Sequence, residues 1–412
     1  MYRRIPRYVR AVITLLQENK HRAYLVGGCV RDLLRGVSPR DWDVATSALP
    51  SQVENIFPRV LPTGVEFGTV TVVCEEGQVE VTTMRRDGVY RDGRHPSQVT
   101  FGQDIREDLL RRDFTINALA YDPLQDELVD PTGGLRDLRA GILRAVGDPY
   151  ERFGEDALRL LRAIRLSGQV GVEIEAQTWQ ALCALHGNLK SIARERIGQE
   201  VAEILALDEV VSPLTRLDES GLLKLIFPSL YSQNRYPPAV SLKTSGYLPP
   251  VLHLRLAGLL LGTAAAPLLK GLHLGKDFNR RVTHLIDHIN GLRQVPPDPA
   301  SLRYFLSRLG PENLKDLKLL ALALGRAGGW EEKEGDAIHH RLGELDRLTD
   351  RSFPLSPREL AIDGHDLRQY LQIRPGPRVG AILEELWFEV LADPSRNRRD
   401  YLLSRARQMK PL

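Results

Sequence analysis

Apolar positions in the first part of the chain switch between two spacings. Val9, Val12, Ile13, Leu15 and Leu16 recur at helical intervals and predict an amphipathic helix within residues 7–20. Ala23–Val26 predicts a short strand running into the glycine pair Gly27-Gly28. A helix over about Val30–Leu34, ended by Gly36, and a second strand over Asp41–Ala45 are expected next. Thr69–Cys74 and Val79–Thr83 are β-branched and bracket Glu75-Glu76-Gly77, the pattern of a hairpin. Ile105–Leu110 and Phe114–Ala120 read as helices, Glu127–Val129 and Ile142–Val146 as strands. After Asp148-Pro149 strand signals fade and helical patterns of Leu, Ala, Arg and Glu run to the end. Ala157, Leu158, Leu161 and Ile164 share one such helical face. Proline clusters at Pro249-Pro250, Pro296–Pro299, Pro354/Pro357 and Pro375/Pro377 mark joints between helices. The expected class is α+β, a mixed-sheet N-terminal head followed by an all-α remainder.

At 412 residues the chain is too long for a single core, so two to four domains are expected. A hydrophobic content of 42% and a charged content of 26% fit an ordinary globular protein. The net charge of +3 is too small to indicate a nucleic-acid partner by itself. Its distribution says more: Arg396, Arg398, Arg399, Arg405, Arg407 and Lys410 face Asp400 alone in the last seventeen residues. Cys29, Cys74 and Cys183 lie far apart, which favours neither a zinc site nor a disulfide framework and fits a reducing cytoplasm. Residues 1–6 lack the apolar stretch of a signal peptide. The apolar run Leu252–Leu261 is too short for a bilayer, carries His253 and Arg255, and reads as a buried helix.

Four segments carry candidate chemistry. Asp41 and Asp43 are two residues apart in a predicted strand, so both carboxylates are expected on one face, able to hold divalent metal. Gly27-Gly28 would let backbone N–H groups approach a polyphosphate at a helix N-terminus. Metal plus polyphosphate points to nucleotidyl transfer, with Mg²⁺ as the cation and Glu80 as candidate third carboxylate. Arg111 and Arg112 offer forked donors to phosphate oxygens, and Asp113 and Asn117 are expected to share a helix face toward a ribose. Asp156, Arg159 and Arg162 recur at helical spacing. They suit either an exposed ion-pair ladder or a side-chain template offering donors and acceptors to a base edge. Arg194-Glu195-Arg196-Ile197 alone would be a solvated helix face.

Taken in order, the segments Leu25–Thr46, Arg111–Ala118, Asp130–Asp137, Glu155–Arg162 and Arg194–Ile197 resemble the five motifs of the class II tRNA nucleotidyltransferases, of the polymerase β-like superfamily. The resemblance spans nearly the whole chain. It implies a seahorse layout: a catalytic head over 1–148, a neck with the nucleotide template over 149–208, a body over 209–298 and a tRNA-binding tail over 299–412. It implies catalytic metals on Asp41 and Asp43, and triphosphate and primer end held by Gly27, Gly28 and Arg31. Arg111, Arg112, Asp113 and Asn117 would contact triphosphate and ribose, and Asp156 and Arg159 would pair with the incoming C or A, supported by Arg162. Asp130 and Gly134 would couple head to neck, and Glu195 and Arg196 would brace the template helix. Ile362–Leu367, the Pro375–Gly380 turn with Arg378, and the basic Arg398, Arg399 and Arg405 resemble the tail segment that cradles tRNA.

Members of this family add CCA, CC only, the terminal A only, or poly(A). Arg85–Thr100 looks like a full-length flexible loop, against CC-only addition. Gly64-Val65-Glu66-Phe67 carries an acidic residue where the poly(A) branch has a basic pair. CCA addition from CTP and ATP onto tRNA is therefore expected, with A-only addition as the alternative and a catalytically idle RNA-binding protein as the alternative of another class. No His-Asp dyad of a phosphohydrolase is recognisable around His253 or His339-His340, and a monomer and a homodimer are both compatible with the sequence.

Overall fold

The computed structural model describes residues 1–87, 99–232, 235–350 and 353–409. The chain forms two compact units, Met1–Ile226 and Phe227–Leu412. In the first, helix α1 (Arg7–Glu18) turns Val9, Val12, Ile13 and Leu16 inward, as its spacing predicts. Strand β1 (Ala23–Val26) leads into α2 (Gly28–Arg35), then β2 (Asp43–Thr46), α3 (Pro50–Ile56), β3 (Val60–Gly64), β4 (Thr69–Val73) and β5 (Gln78–Thr83). A small hairpin, β6 (Arg85–Asp87) with β7 (Val99–Phe101), precedes α4 (Ile105–Leu110). The tip of the loop expected over Arg85–Thr100 lies outside the described residues. Strands β8 (Ala120–Asp122) and β9 (Glu127–Val129) and helix α5 (Gly134–Ala140) follow.

Seven strands form one sheet in the order β3-β4-β5-β2-β1-β8-β9. Every neighbouring pair is antiparallel except β2 with β5. The two-residue alternation of strands separates two cores. Leu25, Val44, Val70 and Val81 face α1, α2 and α3, whereas Val26, Ala45 and Ala120 face Ile105 and Leu109 of α4. Asp43 shares parity with Ala45, and Glu80 with Thr82. The candidate carboxylates therefore emerge on the α4 side of the sheet.

Three expectations change. Strand β2 begins at Asp43, so Asp41 lies in the bend before it, exposed, with buried Trp42 between the two carboxylates. Phe114–Ala120 is not a helix: one 3₁₀ turn, Thr115–Asn117, gives way to β8. Pairing with β1 wins there, since Val26 and Ala120 are register partners and both are buried, and α5 presses on the turn. At Gly134 a Cβ would stand 2.0 Å from the Thr115 carbonyl oxygen, so no larger residue fits. Finally, Ile142–Val146 yields only the two-residue strand β10 (Ile142–Leu143), paired in parallel with β11 (Glu173–Ile174) away from the main sheet.

Helices then dominate: α6 (Pro149–Glu155), α7 (Leu158–Val170), α8 (Ala176–Leu185), α9 (Arg194–Leu205), α10 (Val211–Glu219) and α11 (Leu222–Ile226). The second unit is helical through its described residues. Leu252–Leu260 is a buried helix there, and its Arg255 donates from Nε to the Leu248 carbonyl at 3.1 Å. Pro299 and Pro377 each start a helix, where a missing N–H costs nothing. Among the described residues no helix is long and apolar enough to cross a membrane.

Candidate active site

Parallel pairing of β2 with β5 places Asp43 and Glu80 as register partners, so their side chains leave the same face side by side. The ladder extends past Asp43 through the Glu80 N–H, which donates to the Trp42 carbonyl at 3.0 Å. Burial pushes the Asp43 carboxyl up to about 6; Glu80 adds to this, Arg112 opposes it and Asp41 adds again. Glu80 is likewise raised, by burial and then by Asp41. Asp43 is half-buried and both Glu80 and Asp41 are exposed; Asp43 and Glu80 line one cleft while Asp41 lies outside it, and the oxygens of the three do not all come within 4.8 Å of one another. The all-oxygen pair of Asp43 and Glu80 fits a hard divalent cation, whose charge would relieve the repulsion.

Gly27 holds φ at +73°, and the space its Cβ would fill is taken by Nη1 of Arg112, 2.8 Å from that position. The glycine thus admits a guanidinium beside Asp43. Its own N–H donates to the Leu119 carbonyl at 3.1 Å, so that group is engaged within the protein rather than offered to phosphate. Gly28 is the first residue of α2. Cys29 sits beneath the site, donating to the Val26 carbonyl at 3.1 Å, and burial followed by Asp43 pushes its thiol up to about 12, out of reach of nucleophilic work.

One cleft of about 380 Å³ brings together Asp43, Glu80, Arg85, Arg111, Arg112, Asp113, Asp156, Arg159 and Arg162. Asp113, itself buried, is part of its lining. Its Oδ2 accepts from Nε and Nη2 of Arg162 at 2.9 and 2.6 Å. Its Oδ1 accepts from the Phe114 N–H at 2.8 Å and, more loosely, from Asn117 Nδ2 at 3.4 Å. Asp113 and Asn117 therefore do meet, through a 3₁₀ turn instead of a helix. Asn117 Oδ1 in turn accepts from buried Arg31 at 2.8 Å, and Arg31 also forks onto Asp32. Beyond Arg162, Glu200 of α9 sits 3.9 Å away and accepts from Arg165 at 2.7 Å. A polar relay thus runs from α2 through the turn to α7 and α9. Burial alone would raise Asp113, but the guanidiniums of Arg162 and Arg159 hold it down at about 2.

Asp156 precedes α7 and caps it, accepting from the Leu158 N–H at 3.0 Å, while its other oxygen takes a hydrogen bond from Arg196 at 2.9 Å. Arg159 follows in the first turn, held by Glu155 at 2.5 Å and by the Arg152 carbonyl at 2.8 Å. Arg196 thus reaches Asp156 at the start of α7, whereas Glu195 is exposed. Asp130 caps α5 through the N–H groups of Gly134 and Leu135, at 2.8 and 3.0 Å. Sequence reasoning passed over Asp108, Glu155 and Glu200 as partners of the site arginines. For Asp108 a signal existed, since it precedes Arg111 and Arg112 by three and four residues, one helical turn.

In the second unit, Arg378 and Arg398 are exposed, Arg399 pairs with Asp366 at 2.7 Å and Arg405 with Glu389 at 2.6 Å. Lys410 lies outside the described residues. Asp363, His365 and Asp366 present ligand atoms within 4.8 Å of one another, but Asp363 caps its helix and Asp366 is bridged to Arg399.

Comparison with known proteins agrees with this geometry. The poly A polymerase head domain family matches residues 23–144, a family described as an RNA- and SrmB-binding site of polymerase A matches 171–233, and tRNA nucleotidyltransferase domain 2 matches 256–406. The CCA-adding enzyme of Lactiplantibacillus plantarum is 34% identical, over 97% of this chain and 95% of its own. That of Anoxybacillus flavithermus is 34% identical, over 96% and 95%. The crystal structure of the Bacillus stearothermophilus CCA-adding enzyme in complex with CTP superposes with a TM-score of 0.71 at 29% identity, covering 97% of this chain and 96% of that one. With the carboxylate pair Asp43 and Glu80, an arginine pair and a candidate base-reading pair in one cleft, and relatives matched nearly end to end, the chain belongs to the CCA-adding tRNA nucleotidyltransferases.

Proposed function

We propose that this chain completes the 3′ end of tRNA by adding C, C and A from CTP and ATP, using its own side chains as template. The observation that carries this is that Asp43, Glu80, Arg111, Arg112, Asp156 and Arg159 line one cleft. In each cycle the tRNA 3′-oxygen bonds to the α-phosphorus, the bond to the bridging oxygen breaks, and pyrophosphate leaves with that electron pair. Arg111 and Arg112 bind the phosphate oxygens and offset the charge that develops on the leaving group. Asp156 supplies acceptors and Arg159 donors to the base edge, and the Asp113–Arg162 pair keeps α7 aligned with the head. Asp41, Asp43 and Glu80 would hold magnesium, which when bound acidifies the attacking hydroxyl and neutralises pyrophosphate. The head spans 1–148, the neck 149–208, the body 209–298 and the tail 299–412, with Arg378, Arg398, Arg399 and Arg405 contacting tRNA backbone. The enzyme acts in the cytoplasm, in keeping with free Cys29, Cys74 and Cys183.

The deciding experiment offers purified protein and Mg²⁺ three tRNAs, ending before CCA, in C, or in CC, with CTP, ATP or both. Completion of the bare tRNA to CCA is the expected result. Extension of the CC-ended tRNA alone would make the chain an A-adding enzyme with a separate CC-adding partner. A second measurement addresses the template. Arg159→Ala is expected to erode discrimination between CTP and ATP and against GTP and UTP by about 10- to 100-fold, the worth of one good base contact. Affinity for tRNA should stay within a few fold. Unchanged selectivity would reduce Asp156 and Arg159 to an ion-pair ladder.

A further inference from the structure

Given the nucleotidyltransferase function proposed above, we infer that Asp108 is a positioning residue: without lining the cleft, it sets both arginines that receive the polyphosphate. Its side chain is 1% exposed on α4, one turn before the arginines it serves. Oδ1 accepts from Arg111 at Nε and Nη2, 3.0 and 2.6 Å away, and Oδ2 accepts from Arg112 Nη2 at 3.3 Å. Oδ1 also faces the Arg85 N–H at 3.4 Å, at the start of β6. One buried carboxylate therefore joins two guanidiniums to the strand hairpin behind them. Burial alone would raise its carboxyl, but Arg111 and Arg112 hold it below the usual carboxylate range, so it is charged at neutral pH. The side chains of Arg111 and Arg112 are 18% and 20% exposed and line the cleft.

Two consequences follow from this arrangement. Long arginine side chains lose much of their rotamer freedom before substrate arrives, so less ordering is left for the binding step. The carboxylate also offsets one of two adjacent positive charges, letting both guanidiniums stand close together and letting Arg112 reach the space over Gly27 beside Asp43. Asp108 touches no substrate in this scheme and acts through the arginines alone. Asparagine at this position keeps the shape, but its amide nitrogen points a donor at a donor.

The test uses the full-length protein with Mg²⁺ and inorganic pyrophosphate as probe, read by calorimetry, together with steady-state addition of CTP to tRNA. For Asp108→Asn, pyrophosphate affinity is expected to fall about tenfold, the worth of one charge-assisted hydrogen bond. The CTP KM should rise in parallel, with a smaller change in kcat and tRNA affinity within twofold. In an Arg111→Ala/Arg112→Ala background the same substitution should add nothing, because the groups it acts through are gone. Asp108→Glu should restore part of the loss. Pyrophosphate affinity within twofold of wild type in Asp108→Asn overturns the inference, as does a full tenfold loss persisting in the arginine-less background. If Asp108→Asn does not fold, Arg111→Lys replaces it, keeping the charge while removing the fork onto Asp108. It should lose at least about fivefold in pyrophosphate affinity, and an unchanged affinity would overturn the inference. A wild-type protein that binds neither pyrophosphate nor CTP contradicts the proposed function itself, a different outcome.

Discussion

Asp43→Asn is expected to abolish nucleotide addition and, in metal-free buffer, to raise the melting temperature. The Asp43 carboxyl is raised from 3.8 to about 6 by burial and by Glu80, so the native state binds this proton more tightly than the unfolded chain does. Above pH 6 the native protein holds a charge at a net cost; as pH falls through about 6 toward 4, that cost disappears. Asparagine removes it at every pH. The gain at neutral pH is about 1–3 kcal/mol, allowing for incomplete burial. For a unit of this size that is a rise of a few degrees. Activity should move the other way, by at least about 10³-fold, since loss of a metal-binding carboxylate removes several kcal/mol of transition-state stabilisation. Magnesium should raise the melting temperature of wild type and leave the variant nearly unmoved, while tRNA affinity stays within a few fold. A variant as active as wild type would refute the site assignment. Unchanged stability with lost activity would instead show that the carboxylates are solvated well enough to coexist.

The second large effect falls on Asp113, which is expected to be a stability determinant more than a ribose contact. Its oxygens are taken by Arg162, by the Phe114 N–H and by Asn117. Asp113→Ala leaves the Arg162 guanidinium facing a pocket with its carboxylate gone. Because the Arg162 side chain is 35% exposed, the loss should be about 2–4 kcal/mol, toward the lower end for broken buried pairs. The pH dependence follows from the depressed carboxyl, about 2 against 3.8. Its stabilising contribution is present above about pH 4 and is lost as pH falls through 2. The difference in stability between wild type and Asp113→Asn should therefore be constant from pH 5 to 8 and shrink between about pH 4 and 2. Other low-lying carboxylates, Asp108 among them, titrate in both proteins and drop out of the difference. A double-mutant cycle with Arg162→Ala should show strong coupling. Additive losses would mean that α7 is held to the head by its apolar face alone, through residues such as Leu161 and Ile164.

The head's layout was largely readable. Strand 23–26, the following helix, the hairpin around Glu75–Gly77 and helix Ile105–Leu110 all appear where the apolar pattern puts them. Misreadings cluster where short apolar runs suit either period. Phe114–Ala120 has helical-looking residues, yet Ala120 is a strand position because β1 offers it a ladder partner in Val26. Asp41 fell outside β2 because strand ends are set by pairing, and the neighbouring strand's last bond reaches Trp42.

By itself the sequence determined which groups are available: the Asp41/Asp43 carboxylates, the Arg111/Arg112 pair, the Asp156/Arg159 turn and the change to helices near residue 148. Residue type and local periodicity are sufficient for that, since each side chain's face follows from its own element. Only the tertiary structure decided the partnerships. Glu80 stands beside Asp43 because β5 pairs in parallel with β2, and Arg162 reaches Asp113 across 49 residues. Glu200 joins α7 from α9, and Gly27 yields its Cβ space to Arg112. Periodicity reports which face a residue occupies and carries no information on which distant element packs against it. That choice belongs to strand register and core packing, settled by the whole unit at once.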